Sequence, residues 1–229
     1  MNFIRNIKDY INNNNKVRVF AIPIYKKFFF NSNSYWEKRY KSGGNSGSGS
    51  YGRLAEFKAS IINDFVNLNR VSKILEFGCG DGANLELYNF KEYIGLDVSK
   101  TIVNANKEKF KDKKEYKFLL MSELDTNLKS DLTLSLDVIY HLTNDKIFND
   151  YFNKLFNNSK KYVIIYSSNY NDYDKINAHI RHRKFTDFIP DSFKLINYIT
   201  NPYPISTESS NDGTTSFADF YIFEKIKLC

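Results

Sequence analysis

Apolar residues at Leu54, Phe57, Ile61, Ile62, Phe65 and Leu68 recur with a helical period and predict one amphipathic helix over Tyr51 to Leu68. Beyond it the pattern alternates. Lys73 to Phe77 reads as a buried strand, Ala83 to Tyr88 as a short helix, Tyr93 to Leu96 as a strand and Lys100 to Phe110 as a helix. Tyr116 to Met121 and Leu132 to Leu136 read as strands, Asp145 to Phe156 as a helix and Tyr162 to Tyr166 as a strand. Such alternation predicts an α/β fold, with a mostly parallel sheet covered by helices on both faces. Phe193 to Ile199 and Phe217 to Lys225 are joined by a Pro- and Ser-containing stretch with no helical period, so an antiparallel hairpin is expected to close the sheet. Met1 to Phe30, basic and apolar around Asn12 to Asn15, reads as two short helices about a break. Two units are therefore expected: residues 1–53 as a basic N-terminal arm and 54–229 as the main domain.

Composition changes this picture in two ways. The chain has 229 residues, of which 42% are hydrophobic, enough for a sizeable core and too many for a chain that is mainly disordered. The net charge of +7 is unevenly placed, because residues 1–53 hold ten basic and two acidic residues while the remainder is slightly acidic. The arm is thus the segment suited to phosphates, acidic lipid or an acidic partner. Val17 to Phe30 is interrupted by Lys26 and Lys27 and is not followed by a small-residue cleavage site, so neither a membrane span nor a signal peptide is expected. Cys79 and Cys229 offer no disulfide framework or cysteine metal site, and a cytoplasmic setting is the expectation.

The segment Ile74-Leu75-Glu76-Phe77-Gly78-Cys79-Gly80-Asp81-Gly82-Ala83 carries the most chemistry. It joins a buried strand to the next element through glycines at every second position, which lets a ligand lie against the backbone. Asp97 ends the following strand, where a carboxylate can accept both hydroxyls of a ribose. Gly78-x-Gly80-x-x-Ala83 also satisfies a dinucleotide fingerprint, so an NAD(P)-dependent oxidoreductase shares the layout. Charge separates the two: Glu76 and Asp81 beside the glycines oppose a pyrophosphate and suit a cationic cofactor. A hydride-transfer enzyme would also need a Tyr-x-x-x-Lys pair or a dedicated histidine, and Tyr151 stands only three residues before Lys154.

With these residues the chain resembles the class I S-adenosylmethionine-dependent methyltransferases over roughly Tyr35 to Lys225, which implies their Rossmann-like sheet and S-adenosyl-L-methionine as cofactor. The resemblance implies that Gly78, Gly80 and Gly82 underlie the cofactor, that Glu76 lies near its ammonium end, that Asp97 holds the ribose and that Val98 packs on the adenine. Ser122 occupies the place where related enzymes often have an aspartate at the adenine amino group. Asp137, Tyr140 and His141 follow the fourth strand, where such enzymes present the methyl group, and are the catalytic candidates. Upstream, Tyr35, Trp36, Arg39 and Arg53 flank a loop with four glycines between Gly43 and Gly49 and are expected to form a lid, Arg39 or Arg53 holding the cofactor carboxylate.

His179-Ile180-Arg181-His182-Arg183 gathers positive charge after the fifth strand, and His179, Arg181, His182 and Arg183 are the candidate acceptor-binding residues. His179 and His182 lack a third ligand at matching spacing, so no metal is expected. Tyr35 to Arg53 together with Tyr140-His141-Leu142 and His179 to Arg183 also resembles a narrower bacterial group found with capsular polysaccharide biosynthesis. That resemblance implies O-methylation of a phosphoramidate group carried on a small, nucleotide-linked acceptor. An RNA or a sugar hydroxyl remains an alternative acceptor.

Overall fold

The computed structural model describes Asn14 and residues 31–172, 179–205 and 213–226. The two arm helices expected over Met1 to Phe30 lie outside these residues, Asn14 excepted. Seven strands form one sheet in the order β3-β2-β1-β4-β5-β7-β6. They are β1 (Lys73–Phe77), β2 (Glu92–Asp97), β3 (Tyr116–Leu120), β4 (Ser130–Leu136), β5 (Ser159–Ser167), β6 (Phe193–Ile199) and β7 (Asp219–Lys225). The first five are parallel, and β7 runs antiparallel to both β5 and β6, as the alternating pattern and the terminal hairpin require.

Among the described residues four α-helices accompany the sheet: α1 (Ser32–Lys41), α2 (Gly52–Leu68), α3 (Lys100–Lys109) and α4 (Asp145–Asn157). Helix α1 has no counterpart in the hydrophobic pattern, since its sequence has no apolar stripe. It is held by its ends instead: the Asn31 side chain accepts from the Ser34 amide, and Lys38, Arg39 and Lys41 fill the last turn, where the helix dipole favours cations. In α2 the buried face is Leu54, Ala55, Lys58, Ala59, Ile62 and Val66. Leu68, expected on the apolar stripe, is off that face and 83% exposed. The helix expected over Ala83 to Tyr88 is a single 3-10 turn, Leu85–Leu87, because so short a segment cannot repay the cost of helix nucleation. From β3 to β4 the connection is likewise a 3-10 turn, Met121–Glu123, followed by a loop.

Alternation along the strands divides the core. Ile74, Tyr93, Leu132, Leu134 and Ile164 pack with Ile62 and Val66 of α2. Leu75, Phe77, Leu96, Val163 and Ile165 pack on the other side with Phe148, Phe152 and Leu155 of α4. In β1 this phase puts Glu76 on the same side as Ile74, toward α2. β1 and β4 are adjacent and their connections leave in opposite directions across the sheet, so a crevice opens at their carboxyl ends.

Candidate active site

Gly78 to Gly82 follows β1 into that crevice and Asp137 follows β4. The three glycines have φ of +84°, +57° and +72°, a region that disfavours side chains. At Gly80 space is also lacking, since a Cβ would come within 2.3 Å of the Ser46 hydroxyl. The Asp97 carboxylate, at the end of β2, accepts from the amides of Gly80 and Ser99 at 3.1 and 2.9 Å and so ties the glycine loop to the second strand. Around these elements lies a cleft of about 1140 Å³ including its open mouth, within reach of ordinary small-molecule sites. Glu76, Gly78, Gly80, Asn84, Asp97 and Val98 form one part of its wall, and Asp137, His141, Trp36 and Tyr40 another.

The cleft is electrically unusual. Burial raises the Glu76 carboxyl to about 7, against the opposing effect of the Tyr93 hydroxyl, which donates to it, and of nearby Lys58. Burial likewise raises Asp97 to about 6. Lys58, fully buried on α2, pairs with Asp137 at 2.7 Å, and the Tyr140 hydroxyl donates to the other Asp137 oxygen at 3.0 Å. These two bonds hold Asp137 in a left-handed conformation, φ +60°, that a non-glycine residue rarely adopts. Sequence reasoning missed Lys58, whose neighbours in the chain mark it only as a polar interruption of an apolar helix face.

His141 is held in one tautomer. Its Nδ1 lies 3.0 Å from the His179 carbonyl, which can only accept, so Nδ1 carries the hydrogen and Nε2 is the ring's unprotonated nitrogen. Burial lowers the histidine to about 4, despite that bond, and keeps the ring neutral. Trp36 meets it edge-on at 5.0 Å, while His179 stacks between His141 and Tyr35.

The glycine-rich segment before α2 is folded onto the cleft. The Ser46 amide donates to Asp81 and the Asp81 amide to the Ser46 hydroxyl, both at 2.8 Å, and Tyr51 also donates to Asp81. Burial alone would raise the Asp81 carboxyl, but these bonds outweigh it and lower it. On the far side of α1, Glu37 accepts from the hydroxyls of Ser99 and Thr101 at the start of α3, which lowers its carboxyl to about 2.

Several sequence-predicted residues are engaged elsewhere. Arg39 donates to the Asn45 carbonyl and braces the glycine segment, and Arg53 donates to Thr214 and lies over Tyr203, away from the cleft wall. Ser122 is exposed, and its neighbour Met121 lines the cleft in its place. Arg183, 4% exposed, donates to the carbonyls of Leu142 and Thr143 and pairs with Asp145, as Arg181 also does. His182 is buried against the Ser168 hydroxyl. Tyr151, three residues before Lys154, is tied to Ser135 and the Phe77 carbonyl. Among the described residues no group of three or more His, Cys, Asp or Glu is placed to hold a metal ion, and no helix is long and apolar enough to cross a membrane.

A family model described as a methyltransferase domain matches residues 75–160, the stretch that supplies the glycine loop, Asp97, Asp137 and His141. Over these residues the chain is similar to methyltransferase domains. No curated protein sequence matches the chain. Solved structures agree on the fold of this domain. The N-methyltransferase NodS from Bradyrhizobium japonicum WM9, in complex with S-adenosyl-L-homocysteine, aligns with a TM-score of 0.64 at 13% identity, covering 86% of this chain and all of that one. Magnesium protoporphyrin IX methyltransferase from Synechocystis PCC 6803 with bound S-adenosylmethionine gives 0.58 at 13% identity over 87% of this chain and all of its own. A putative RNA methyltransferase from Pyrococcus horikoshii gives 0.54 at 19% identity over 93% of this chain and all of its own.

Proposed function

We propose that this methyltransferase O-methylates a small hydroxyl-bearing acceptor in the assembly of a surface glycan. When bound, S-adenosylmethionine supplies a methyl group on a sulfonium centre. The cleft fits it on three counts. Two buried carboxyls with raised values, Glu76 and Asp97, gain from a cation; the Asn84 side-chain oxygen lines the cleft buried and without a partner; and the glycine loop leaves backbone uncovered. In this reading Gly78, Gly80 and Gly82 underlie the cofactor, Glu76 and Asn84 face its ammonium group, Asp97 takes the ribose hydroxyls and Val98 lies against the base. Residues 32–53 form the lid, with Trp36 and Tyr40 on its inner side, while Arg39 holds the lid's own loop. The domain division at residue 53 belongs to the same proposal.

The His141 tautomer carries the choice of acceptor. A neutral imidazole with Nε2 free of hydrogen can take a proton from a hydroxyl as the methyl arrives, whereas an anionic oxygen has no proton to give. Asp137, clamped by Lys58 and Tyr140, orients the backbone that leads to His141. Arg181 and Arg183 hold the same turn from below, so we assign them to positioning. The sequence resemblance of Tyr35 to Arg53 and His179 to Arg183 supports the glycan setting, and it sustains a second reading in which the acceptor is a phosphoramidate oxygen. Incubation with labelled S-adenosylmethionine and a panel of sugar nucleotides, phosphoramidate nucleotides and RNA tests the choice. Label in a sugar hydroxyl is the expected result; label only in the phosphoramidate or in RNA rejects it.

A further inference from the structure

One wall of the cleft is a single face of α4, on which Ile147, Asp150, Tyr151 and Lys154 follow one another at helical spacing. Because β3 reaches β4 through a 3-10 turn and a loop, no helix stands between this wall and the cleft. Val98, Met121, Leu142 and Ile147 make the neighbouring surface apolar, and the Tyr151 hydroxyl is already bonded. Asp150 and Lys154 differ from all of these. Neither side chain has an ion-pair or hydrogen-bond partner among the described residues, and they do not pair with each other.

A carboxylate and an ammonium one helical turn apart offer an acceptor beside a donor. Adenine offers the complement, an amino group that donates and a ring nitrogen, N1, that accepts. At the end of β3, Ser122 is exposed and off the cleft wall, and the Glu123 carboxylate turns back to accept from the Leu120 amide, so neither of them lines the cleft. Resting on the assignment of S-adenosylmethionine to this cleft, we propose that α4 reads the adenine, with Asp150 accepting from its amino group and Lys154 donating to N1. The base lies between Val98 and the apolar residues of the opposite wall, and its polar edge meets α4.

Calorimetry on the intact chain with S-adenosylhomocysteine and S-inosylhomocysteine tests this. The second compound has a carbonyl in place of the amino group and a hydrogen on N1, which reverses both polarities. The unaltered protein is expected to bind the adenosine compound roughly tenfold or more tightly, as befits charge-assisted bonds at a half-open site. Asp150→Ala should remove most of that preference. Asp150→Asn should bring the two compounds closer, because an amide can both accept and donate, with the remaining preference due to Lys154, and Lys154→Met should narrow the gap by weakening the adenosine compound. Asp97→Ala should weaken both equally. Discrimination that survives in Asp150→Ala and Lys154→Met, or an effect of these substitutions confined to acceptor KM, overturns the base reader and leaves the cofactor assignment standing. Failure of the unaltered chain to bind S-adenosylhomocysteine overturns the assignment of the cleft itself.

Discussion

Glu76 and Asp97 bind protons more readily in the folded chain than their ordinary values of 4.5 and 3.8 allow, since burial disfavours their charged forms. The sign of the linkage follows. Stability present below the unfolded value is lost as pH rises, for Glu76 between about 4.5 and about 7. A cation in the cleft favours the ionised forms, so binding of S-adenosylmethionine near pH 6.5 should release protons. Calorimetry in buffers of different ionisation enthalpy reads that release, and Glu76→Gln, which keeps an acceptor for Tyr93, should shrink it. His141 runs the other way: its ring, lowered to about 4, is neutral through the physiological range. His141→Ala should therefore lower kcat about 10²-fold with a hydroxyl acceptor, by an amount unchanged between pH 6 and 9, and leave cofactor affinity intact. A loss that vanished with a hydroxyl acceptor would remove the histidine from the proton path. The places of Glu76, Asp97 and His141 on the cleft wall were legible in the sequence because the first two stand at strand ends and the third in the turn that follows β4. Lys58 was not, because its partner Asp137 is 79 positions away and only the folded helix brings them together.

At the scale of elements, the segment proposed as a lid is fastened at two points, Glu37 on the start of α3 and Ser46 on Asp81. Glu37 has a carboxyl lowered to about 2, so its contribution is complete above the ordinary value of 4.5 and is lost as pH falls toward 2. Glu37→Ala should speed release of S-adenosylhomocysteine and expose Ser42 to Ser50 to protease, with the domain's melting temperature nearly unchanged; equal digestion of both proteins would detach Glu37 from the lid. Helix α1 escapes a reading of the sequence because caps and polar bonds, not an apolar stripe, hold it. The run His179 to Arg183 is visible as charge, yet its direction is not. Arg183 donates inward to carbonyls beside His141, a contact across 40 positions that no local pattern announces. Arg183→Met should then cost about 1 to 3 kcal/mol of stability by leaving buried carbonyls unmatched, and lower kcat more than it raises acceptor KM. Denaturant melts and steady-state kinetics separate this from an anion-binding role, which would raise KM alone.

Across the whole molecule charge is divided between two places. The excess of basic residues lies within residues 1–53, while the cleft is walled by Glu76, Asp97, Asp137 and Asp150 against Lys154. Only the first half of that division could be read from the sequence, because the carboxylates meet solely through the β1–β4 crevice. A polyanion would be drawn to the arm and opposed at the cleft; a small hydroxyl acceptor, with at most the few charges of a nucleotide carrier, is drawn and opposed far less. Salt therefore discriminates between them. With a nucleic acid held by six to ten phosphate contacts, affinity falls by roughly 10³ to 10⁵ between 50 and 200 mM salt. With a small acceptor, screening over a Debye length of about 10 Å changes kcat/KM by only about twofold. The expected outcome for the intact chain is the shallow dependence, measured as kcat/KM for the best acceptor across that range. A slope equivalent to several released counterions would instead place the basic arm on a nucleic acid and make the polymer, not the glycan, the acceptor to pursue.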